Sequence, residues 1–222
     1  GEDFMSCNPR KICFITCVNN EKYEEEEKKY LKHLYVPKGY EIETCFIKDA
    51  RSMAAGYNIG MKQSDAKYKV YLHQDVFIVH RYFIRDILSI FQKSEIGMIG
   101  MVGSKKLPEN AIMWDGPRIG KLYANITYKS TESVLGEVKG SWENVEAIDG
   151  FLMATQYDLP WREDLFTEWD FYDISQSMEF IRRGYQVVVP NQTQAWCIHD
   201  NGFYNLKNYF RNRKKFKKEY MT

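Results

Sequence analysis

The first half of the chain alternates short apolar runs with charged or amphipathic segments. Strands are predicted at 11–18, a buried apolar run, at 40–47, where apolar and polar residues alternate, and at 69–72 and 96–102. Helices are predicted at 21–34, where acids come early and lysines late, at 53–63 after the capping residue Ser52, and at 82–91, where apolar residues recur at helical spacing. Strands that alternate with helices predict an α/β fold with a mostly parallel, mixed central sheet flanked by helices.

The pattern changes near Gly103, where a segment rich in Gly, Pro and Lys predicts a loop over 104–120. Beyond it lie predicted short strands or a hairpin at 122–128 and 133–138, an apolar stretch at 145–155, strands at 185–189 and 195–199, and helices at 171–183 and 206–218. We therefore expect an N-terminal extension at 1–10, one domain at 11–205 and a basic C-terminal helix at 206–222. Within the domain, the nucleotide-binding half covers 11–103 and the acceptor half 104–205.

Composition indicates a globular domain with a sizeable core, because hydrophobic residues make up 44% of the 222 residues. Aromatic residues make up 15%, which fits either an aromatic-rich core or rings that line a groove and stack on bases and sugars. The net charge is only +1, so no global field attracts nucleic acid and we expect no nucleic-acid partner.

The cysteines Cys7, Cys13, Cys17, Cys45 and Cys197 are odd in number and have no CxxC spacing. Three of them lie in the first two apolar runs and are expected to be small buried hydrophobes. This argues against a disulfide framework or a cysteine zinc cluster and favours a reducing compartment. No run reaches the roughly 20 apolar residues of a membrane span, and no signal-type stretch opens the chain. We therefore expect a cytoplasmic protein.

The triplet His73-Gln74-Asp75 directly follows the apolar run at 69–72. Open α/β sheets bind ligands beyond the carboxyl ends of their strands, so Asp75 is expected at the edge of a cleft. A metal that holds a diphosphate needs hard oxygen ligands, and a carboxylate supplies one. Asp75 is therefore a candidate metal ligand, with His73 and Gln74 as further polar contacts. The structural alternative is a helix N-cap or turn acid.

His199 and Asp149 are candidates in the second half. His199 ends a short apolar run before the turn-forming Asp200-Asn201-Gly202, and a neutral imidazole suits Mn-type ions. A satisfied surface histidine is the alternative. Asp149-Gly150 lies in an apolar stretch, where an acid is costly to bury without a partner. It either caps a turn or accepts hydrogen bonds from a substrate hydroxyl.

The segment Glu168-Trp169-Asp170-Phe171-Tyr172-Asp173 combines three acids with three aromatic rings before a predicted helix. In a structural role, Asp170 would be the N-cap and Asp173 would lie in the first turn, where acids are favoured. In a functional role, one of these carboxylates would act as a general base near the cleft. Trp169 and the neighbouring rings would then form a platform for a sugar.

Polar residues also end the first two predicted strands. Thr16 and Asn19 belong to the first and Asp49 follows the second, so these side chains are candidates to hold a base or a ribose, with ordinary turns as the alternative. Small residues at 52–60 would allow phosphates to approach closely. Neither the glycine-rich dinucleotide pattern nor the P-loop pattern occurs, which argues against NAD binding and P-loop ATP hydrolysis.

Taken in order, these motifs resemble family 2 glycosyltransferases of the GT-A fold, and most of all the subgroup named for a streptomycin-biosynthesis protein. The resemblance covers roughly residues 10–202. It rests on Asn19, Asp49, Ala55-Gly56-Tyr57-Asn58, His73-Gln74-Asp75, Asp149-Gly150, Trp169-Asp170-Phe171-Tyr172-Asp173 and Ile198-His199.

The resemblance implies an inverting transfer of a sugar from a nucleotide-diphosphate-sugar donor to a hydroxyl of a glycan or other acceptor, in polysaccharide biosynthesis. It also implies a divalent cation, Mn²⁺ or Mg²⁺, held by Asp75 and His199. Asp173 is the implied base, with Asp170 as its competitor. Nucleotide contacts are implied for Thr16, Asn19, Asp49, Asn58, His73 and Gln74, and acceptor or sugar contacts for Asp149, Gly150 and Trp169. His73 stands where the family's Asp-x-Asp motif usually has its first Asp, which reduces the local negative charge.

Two other functions compete with this one. A nucleotidyltransferase also uses an α/β sheet and a metal, but it would favour a Gly- and Lys/Arg-rich loop after the first strand, where this chain has Cys17-Val18-Asn19-Asn20-Glu21. A non-catalytic module that binds nucleotide sugars or glycans would tolerate loss of the base.

The C-terminal segment 206–222 carries a dense group of lysines and arginines. It is either a solvated face or frayed tail, or a surface attracted to anionic lipid head groups or a polyanionic acceptor. The second interpretation predicts peripheral contact with the inner face of a membrane.

Overall fold

The computed structural model describes residues 6–126, 129–200 and 206–222 of the chain. Its strands are β1 Asn8–Val18, β2 Glu41–Lys48, β3 Ala66–Leu72, β4 Val76–Ile78, β5 Ile96–Gly100, β6 Val102–Ser104, β7 Arg118–Ile126, β8 Lys129–Gly136, β9 Trp142–Asn144, β10 Ala147–Ile148, β11 Leu152–Thr155, β12 Gln186–Pro190 and β13 Cys197–His199. Its helices are α1 Glu21–Lys32, α2 Met53–Gln63, α3 Phe83–Ile90, α4 Tyr172–Arg182 and α5 Tyr209–Tyr220.

Two sheets organise these elements. The larger has the strand order β2-β1-β3-β11-β5-β12-β9, and the smaller has the order β10-β6-β7-β13-β4 with β8 paired to β7. β1 runs parallel to β2 and β3, whereas β11 runs antiparallel between β3 and β5. The predicted α/β class with a mixed sheet is confirmed. The parallel pairing of β2, β1 and β3 brings their carboxyl ends to one edge of the larger sheet.

The core lies on both faces of the larger sheet, because successive residues of a strand point to opposite faces. Ile12 and Phe14 of β1 join a cluster with side chains of α1 and α3. Cys13 and Ile15 join a second cluster with side chains of α2 and α4. Burial raises the pKa of the Cys13 and Cys17 thiols to about 12, so both act as inert apolar side chains, as predicted.

The first two helices begin where the sequence predicts. The Asn20 side chain accepts hydrogen bonds from the backbone N–H groups of Lys22 and Tyr23 at the start of α1. The Ser52 hydroxyl accepts one from the N–H of Ala55 at 3.0 Å at the start of α2. Ser52 is the N-cap that the sequence predicts, and Asn20 acts in the same way, since each satisfies a donor that the first turn leaves unpaired.

Three local predictions differ from the structure. A short strand, β4, separates Asp75 from α3, and three apolar residues are too few to show strand alternation. The predicted strand at 96–102 is divided, because β5 belongs to the larger sheet and β6 to the smaller. Phe171, not Asp170, occupies the N-cap position of α4, with φ +61° and no side-chain capping bond. The hairpin at 122–138 is present as β7 and β8, and residues 127–128 lie outside the described residues.

The C-terminal helix α5 is packed against the domain, so the frayed-tail interpretation is wrong for residues 209–220. Phe216 is fully buried. The Phe171 ring lies 5.0 Å from that of Tyr209 and 5.5 Å from that of Phe216, between centroids. α5 therefore fixes the segment that leads into α4. Across the described residues, every helix is too short or too polar to cross a bilayer.

Candidate functional site

Three polar side chains meet beyond the end of β3. His73 and Asp75 lie in the turn between β3 and β4, which the Val76 N–H closes by donating to the His73 carbonyl at 3.1 Å. His199 is the last residue of β13 and lies opposite Val76 in the antiparallel β4–β13 pair. This pairing brings the His199 Nε2 atom to 3.4 Å from Asp75 Oδ1. One potential ligand atom from each of His73, Asp75 and His199 lies within 4.8 Å of the others.

The electrostatics of this cluster suit a cation. Burial, with the nearby His199, lowers the pKa of His73 to about 4, so its imidazole is neutral at pH 7. Burial opposes ionisation of Asp75, but the hydrogen bond to His199 and the proximity of both histidines outweigh it and hold the pKa of this carboxyl below its ordinary value. A neutral imidazole and an ionised carboxylate are the protonation states that bind metals.

The acceptor half reaches this cluster through α4. The Tyr172 hydroxyl forms a short hydrogen bond with His73 Nε2. The next residue, Asp173, accepts hydrogen bonds through its carboxylate from the Gly150 N–H at 2.9 Å and from the Ile174 N–H at 2.8 Å. The turn after β3, the turn between β10 and β11, and the start of α4 are therefore joined at one place.

Asp173 is poised to exchange a proton near neutral pH. Burial raises the pKa of Asp173 to about 7, and the neighbouring Asp149 adds to the rise. The two backbone N–H donors limit the rise because they stabilise the ionised form. Burial also raises the pKa of Asp149, whose carboxylate accepts from the Phe151 N–H at 3.2 Å and so closes the turn between β10 and β11.

Gly150 and Phe171 show how tightly this region is built. A Cβ atom on Gly150 would fall 2.7 Å from the Asp173 Cβ and closer still to the Tyr172 hydroxyl, so only glycine lets α4 approach the turn. Phe171 adopts the left-handed region at φ +61°. A non-glycine residue there costs about 1–3 kcal/mol, which the packing of Phe171 against α5 offsets. Strain of this kind is concentrated at functional sites.

Asp170 and Trp169 have different surroundings from Asp173. Trp169 is 51% exposed, so its ring is accessible to a ligand. Asp170 is partly buried, which raises its pKa, and the charge of Glu168 contributes. Glu168 in turn accepts a hydrogen bond from Asn212 of α5 at 2.8 Å. Asp170 thus borders α5, whereas Asp173 borders the turn beside the His73 cluster, and this favours Asp173 as the base.

The predicted nucleotide contacts Asn19 and Gln74 form a polar network at the carboxyl edge of the larger sheet. Gln74 Oε1 accepts from the backbone N–H groups of Asn19 and Asn20 at 3.0 and 3.2 Å, and its amide nitrogen donates to Asn19 Oδ1 at 2.7 Å. Asp49 follows β2 with φ +56° and is exposed. The side chains of Asn19, Asp49 and Gln74 are therefore available to a ligand at this edge.

Two predicted nucleotide contacts, Thr16 and Asn58, face inward and need correction. Thr16 is fully buried, and its hydroxyl donates to Glu27 at 2.5 Å. The Asn58 side-chain oxygen accepts a hydrogen bond from the Trp161 N–H at 2.8 Å. Its side-chain nitrogen donates to the Trp161 carbonyl at 2.9 Å and to Glu163 at 2.7 Å. Both side chains form hydrogen bonds with other interior residues. They therefore have a structural role and are not available to a ligand.

The sequence did not single out two further polar residues at the site. The Tyr172 hydroxyl orients His73, whereas the sequence indicates only an aromatic ring at Tyr172. Asp200 donates its N–H to the Asp75 carbonyl at 2.9 Å, and its carboxylate accepts from the Tyr23 hydroxyl at 2.9 Å and the Asn125 amide at 3.3 Å. Asp200 follows the candidate ligand His199 directly in the sequence, and this adjacency is the feature that could have identified it.

A sequence model of the glycosyltransferase-like family matches residues 13–220. The chain belongs to this family. No curated protein sequence matches the chain. The predicted family and the GT-A fold are thus confirmed, and the narrower streptomycin-type subgroup stays a prediction.

Solved structures share the fold of this glycosyltransferase-like protein. TarS of S. aureus, residues 1–349 in complex with UDP, superposes with a TM-score of 0.60 at 10% identity, over 94% of this chain and 65% of that one. The mannosyltransferase PcManGT of Pyrobaculum calidifontis, in complex with GDP-Man and Mn²⁺, gives 0.61 at 12% identity, over 100% of this chain and 68% of that one. The chain thus spans about two thirds of PcManGT and of the TarS 1–349 fragment, but only 38% of a longer TarS structure. At these identities the likeness shows the fold alone.

Proposed function

We propose that this protein transfers a sugar from a nucleotide-diphosphate-sugar donor to a hydroxyl of a glycan or other acceptor, with inversion at the anomeric carbon. The observation that carries the proposal is the convergence of the His73–Asp75–His199 cluster with Asp173. A site for a charged leaving group and a partly buried base meet through Tyr172, Gly150 and the strand pair β4–β13. The family supports glycosyl transfer, and the UDP, UDP-GlcNAc and GDP-Man complexes of the structural relatives support the donor class.

The residues of the cluster fit a divalent metal. Two imidazoles and one carboxylate are a donor set that Mn²⁺ accepts, and Mg²⁺ is the alternative ion. His73, Asp75 and His199 would hold the ion, and their ligand atoms already lie within 4.8 Å of one another. When bound, a divalent ion stabilises the negative charge that develops on a departing diphosphate.

The chain's own residues move the proton in this reaction. The acceptor oxygen forms a bond to the anomeric carbon while the bond from that carbon to the diphosphate breaks, and the electron pair leaves with the nucleoside diphosphate. The hydroxyl proton passes to the Asp173 carboxylate late in the step, because a hydroxyl is a far weaker acid than a carboxyl. The Gly150 N–H orients this carboxylate. The exposed ring of Trp169 offers a face on which the acceptor or donor sugar stacks.

Donor binding tests the proposal directly. We expect one of the UDP-, GDP-, CDP- or dTDP-sugars, with Mn²⁺ present, to stabilise the fold. A ligand at one hundred times its Kd contributes about 2.7 kcal/mol, which raises the Tm of a chain of this size by about 5–10 °C. Thermal-shift measurements across these donors, with and without Mn²⁺, give the specificity.

Two glutamine variants separate the site from the rest of the surface. Gln74→Ala breaks the network with Asn19 and should reduce the donor-induced shift, whereas Gln92→Ala, at an exposed glutamine beyond α3, should leave it intact. Absence of a shift with every donor would refute the proposed function. A shift without transfer to any acceptor would favour the non-catalytic module.

We further infer that the exposed face of α5 contacts an anionic membrane surface. The exposed positions Phe210, Arg211, Lys214 and Lys218 lie on one side of the helix, and exposed Lys207 just precedes it. Phe210 is 58% exposed and Leu206, just before the helix, is 48% exposed. Cations beside exposed apolar side chains are typical of helices that lie in a membrane interface. A location at the inner face of a membrane stays a prediction.

Deletion of α5 would uncover Phe216, so substitutions test this inference better. Each cation near an anionic surface contributes about 1 kcal/mol, so Lys214→Gln with Lys218→Gln should weaken binding to phosphatidylserine-containing vesicles about thirtyfold. Co-sedimentation measures the change, and Lys38→Gln with Lys93→Gln is the charge-matched control. Equal binding of both double variants would show that α5 is not the contact.

A further inference from the structure

A concave basic surface lies between the C-terminal end of α1, strand β4 and the start of α3. Two cavities of about 710 and 810 Å³ adjoin there and share Val79 and Arg81. We call this surface the α1–α3 groove. Lys29, Lys32 and His33 line its first part, and its second part is lined among others by Tyr82, Arg85 and Trp196. None of these residues belongs to the donor site described above.

The groove is much more positive than the chain as a whole. Lys29, Lys32, Arg81 and Arg85 line it, against one acid, Asp86, although the chain has a net charge of only +1. Asp86 is engaged by His80 at 2.6 Å and by Arg85 at 2.9 Å. Within residues 6–126, 129–200 and 206–222, no acid forms an ion pair with Lys29, Lys32 or Arg81.

The helix dipole explains only part of this charge. Lys29 and Lys32 lie in the last turn of α1, where cations complement the negative helix end. Arg81 precedes α3 and Arg85 lies in its first turn, so neither has this role. Their guanidinium carbons lie 6.0 and 4.3 Å from the centroid of the Tyr82 ring, so that ring holds both cations at the groove.

We propose that the α1–α3 groove binds an anionic segment of the acceptor, a glycan that carries carboxylate or phosphate groups. Cations recognise the charges, and the ring of Tyr35, 40% exposed and 5.5 Å from that of Tyr82, borders the groove and offers apolar surface to a sugar ring. A concave surface fits a chain of sugars, whereas a membrane plane fits the convex face of α5. The proposal rests on the proposed function, because it treats the groove as part of acceptor recognition.

The groove lies one helix length from the reaction centre. α1 begins beside the site, where the Tyr23 hydroxyl donates to Asp200, and it ends at the groove. Its 12 residues span about 18 Å. An acceptor that occupies both places must therefore be several sugars long, and the groove would favour long anionic acceptors over short ones.

Direct binding tests the groove without any donor or turnover. The probes are a hyaluronan hexasaccharide, neutral maltohexaose, and inorganic polyphosphate of matched charge, measured by isothermal titration calorimetry. We expect the hyaluronan fragment to bind best. The triple variant Lys29→Gln, Lys32→Gln, Arg81→Gln should weaken that binding about tenfold, since exposed charge contacts are individually small and add up over three. Added salt should weaken it as well.

The control variant removes the same charge elsewhere, by Lys38→Gln, Lys93→Gln and Arg183→Gln, and should bind as the wild type does. Equal hyaluronan affinity in both triple variants would overturn the proposal, and so would polyphosphate or phosphatidylserine vesicles binding at the groove as tightly as the hexasaccharide. The donor-induced thermal shift of the groove variant should match that of the wild type. If no donor shifts the Tm of the wild type or of either triple variant, the proposed function is refuted. The hyaluronan titration would still test whether the groove binds an anionic glycan.

Discussion

Replacement of Asp173 by asparagine is expected to lower sugar transfer about a thousandfold while donor binding stays within about twofold. A positioned general base contributes roughly 10²–10⁴ to a rate, and the amide cannot take the acceptor proton. The amide is close in size to the carboxylate and keeps one of its two contacts with the Gly150 and Ile174 N–H groups. Single-turnover transfer rates, with donor affinity from thermal shift, measure the two effects separately.

The pH profile gives the same prediction a second readout. Because burial raises the pKa of Asp173 to about 7, the base is protonated below that pH and ionised above it. In the wild type, kcat/KM should therefore rise tenfold per pH unit up to about pH 7 and then level off. This rise of kcat/KM with pH should disappear in Asp173→Asn.

Asp170→Asn is the matched control, because Asp170 is also partly buried with a raised pKa but borders α5. Its transfer rate should fall less than about tenfold. If Asp170→Asn instead abolishes transfer and Asp173→Asn retains it, the base has been assigned to the wrong carboxylate. Melting curves of both variants show whether either loss comes from unfolding.

Local signals predicted the elements that carry the site. β1 and β3 are buried runs, β2 is a half-buried edge strand, polar residues follow all three, and Asn20 and Ser52 cap the helices that come after β1 and β2. Short-range chemistry fixes such features, so one sequence suffices to find them. β4 was missed because a three-residue strand has no detectable period, and its partner β13 lies far away in the chain.

The side-chain environments depend on contacts that the sequence does not show. Thr16 in β1 and Asn58 in α2 were nucleotide-binding candidates like Asn19, yet Thr16 bonds to Glu27 and Asn58 to Trp161, 103 residues away. Asp75 and His199 were both predicted as ligands, but their approach to 3.4 Å depends on the pairing of β4 with β13. A polar residue at a strand end is thus a candidate, and only tertiary packing shows which way it faces.

Replacement of Asp75 by asparagine should remove the Mn²⁺-dependent part of donor binding and lower transfer at least about a hundredfold, equivalent to about 2.7 kcal/mol of lost charge stabilisation. Asp75 is the one carboxylate in the His73–Asp75–His199 cluster, so the variant leaves the two imidazoles and no negative charge to attract a cation. The departing diphosphate would then develop its charge without compensation.

Titration of Mn²⁺ into the protein, followed by electron paramagnetic resonance, measures this loss without a donor. Asp86→Asn is the charge-matched control, because Asp86 pairs with His80 and Arg85 at the α1–α3 groove, and it should bind Mn²⁺ as the wild type does. Asp75 does not contact the catalytic base. The rise of kcat/KM with pH that reflects ionisation of Asp173 should therefore persist in the residual activity of Asp75→Asn. Retention of wild-type Mn²⁺ affinity in Asp75→Asn would show that the cluster is not the metal site. In that case His73 and His199 would act on the diphosphate only as hydrogen-bond donors, and transfer would not depend on the ion.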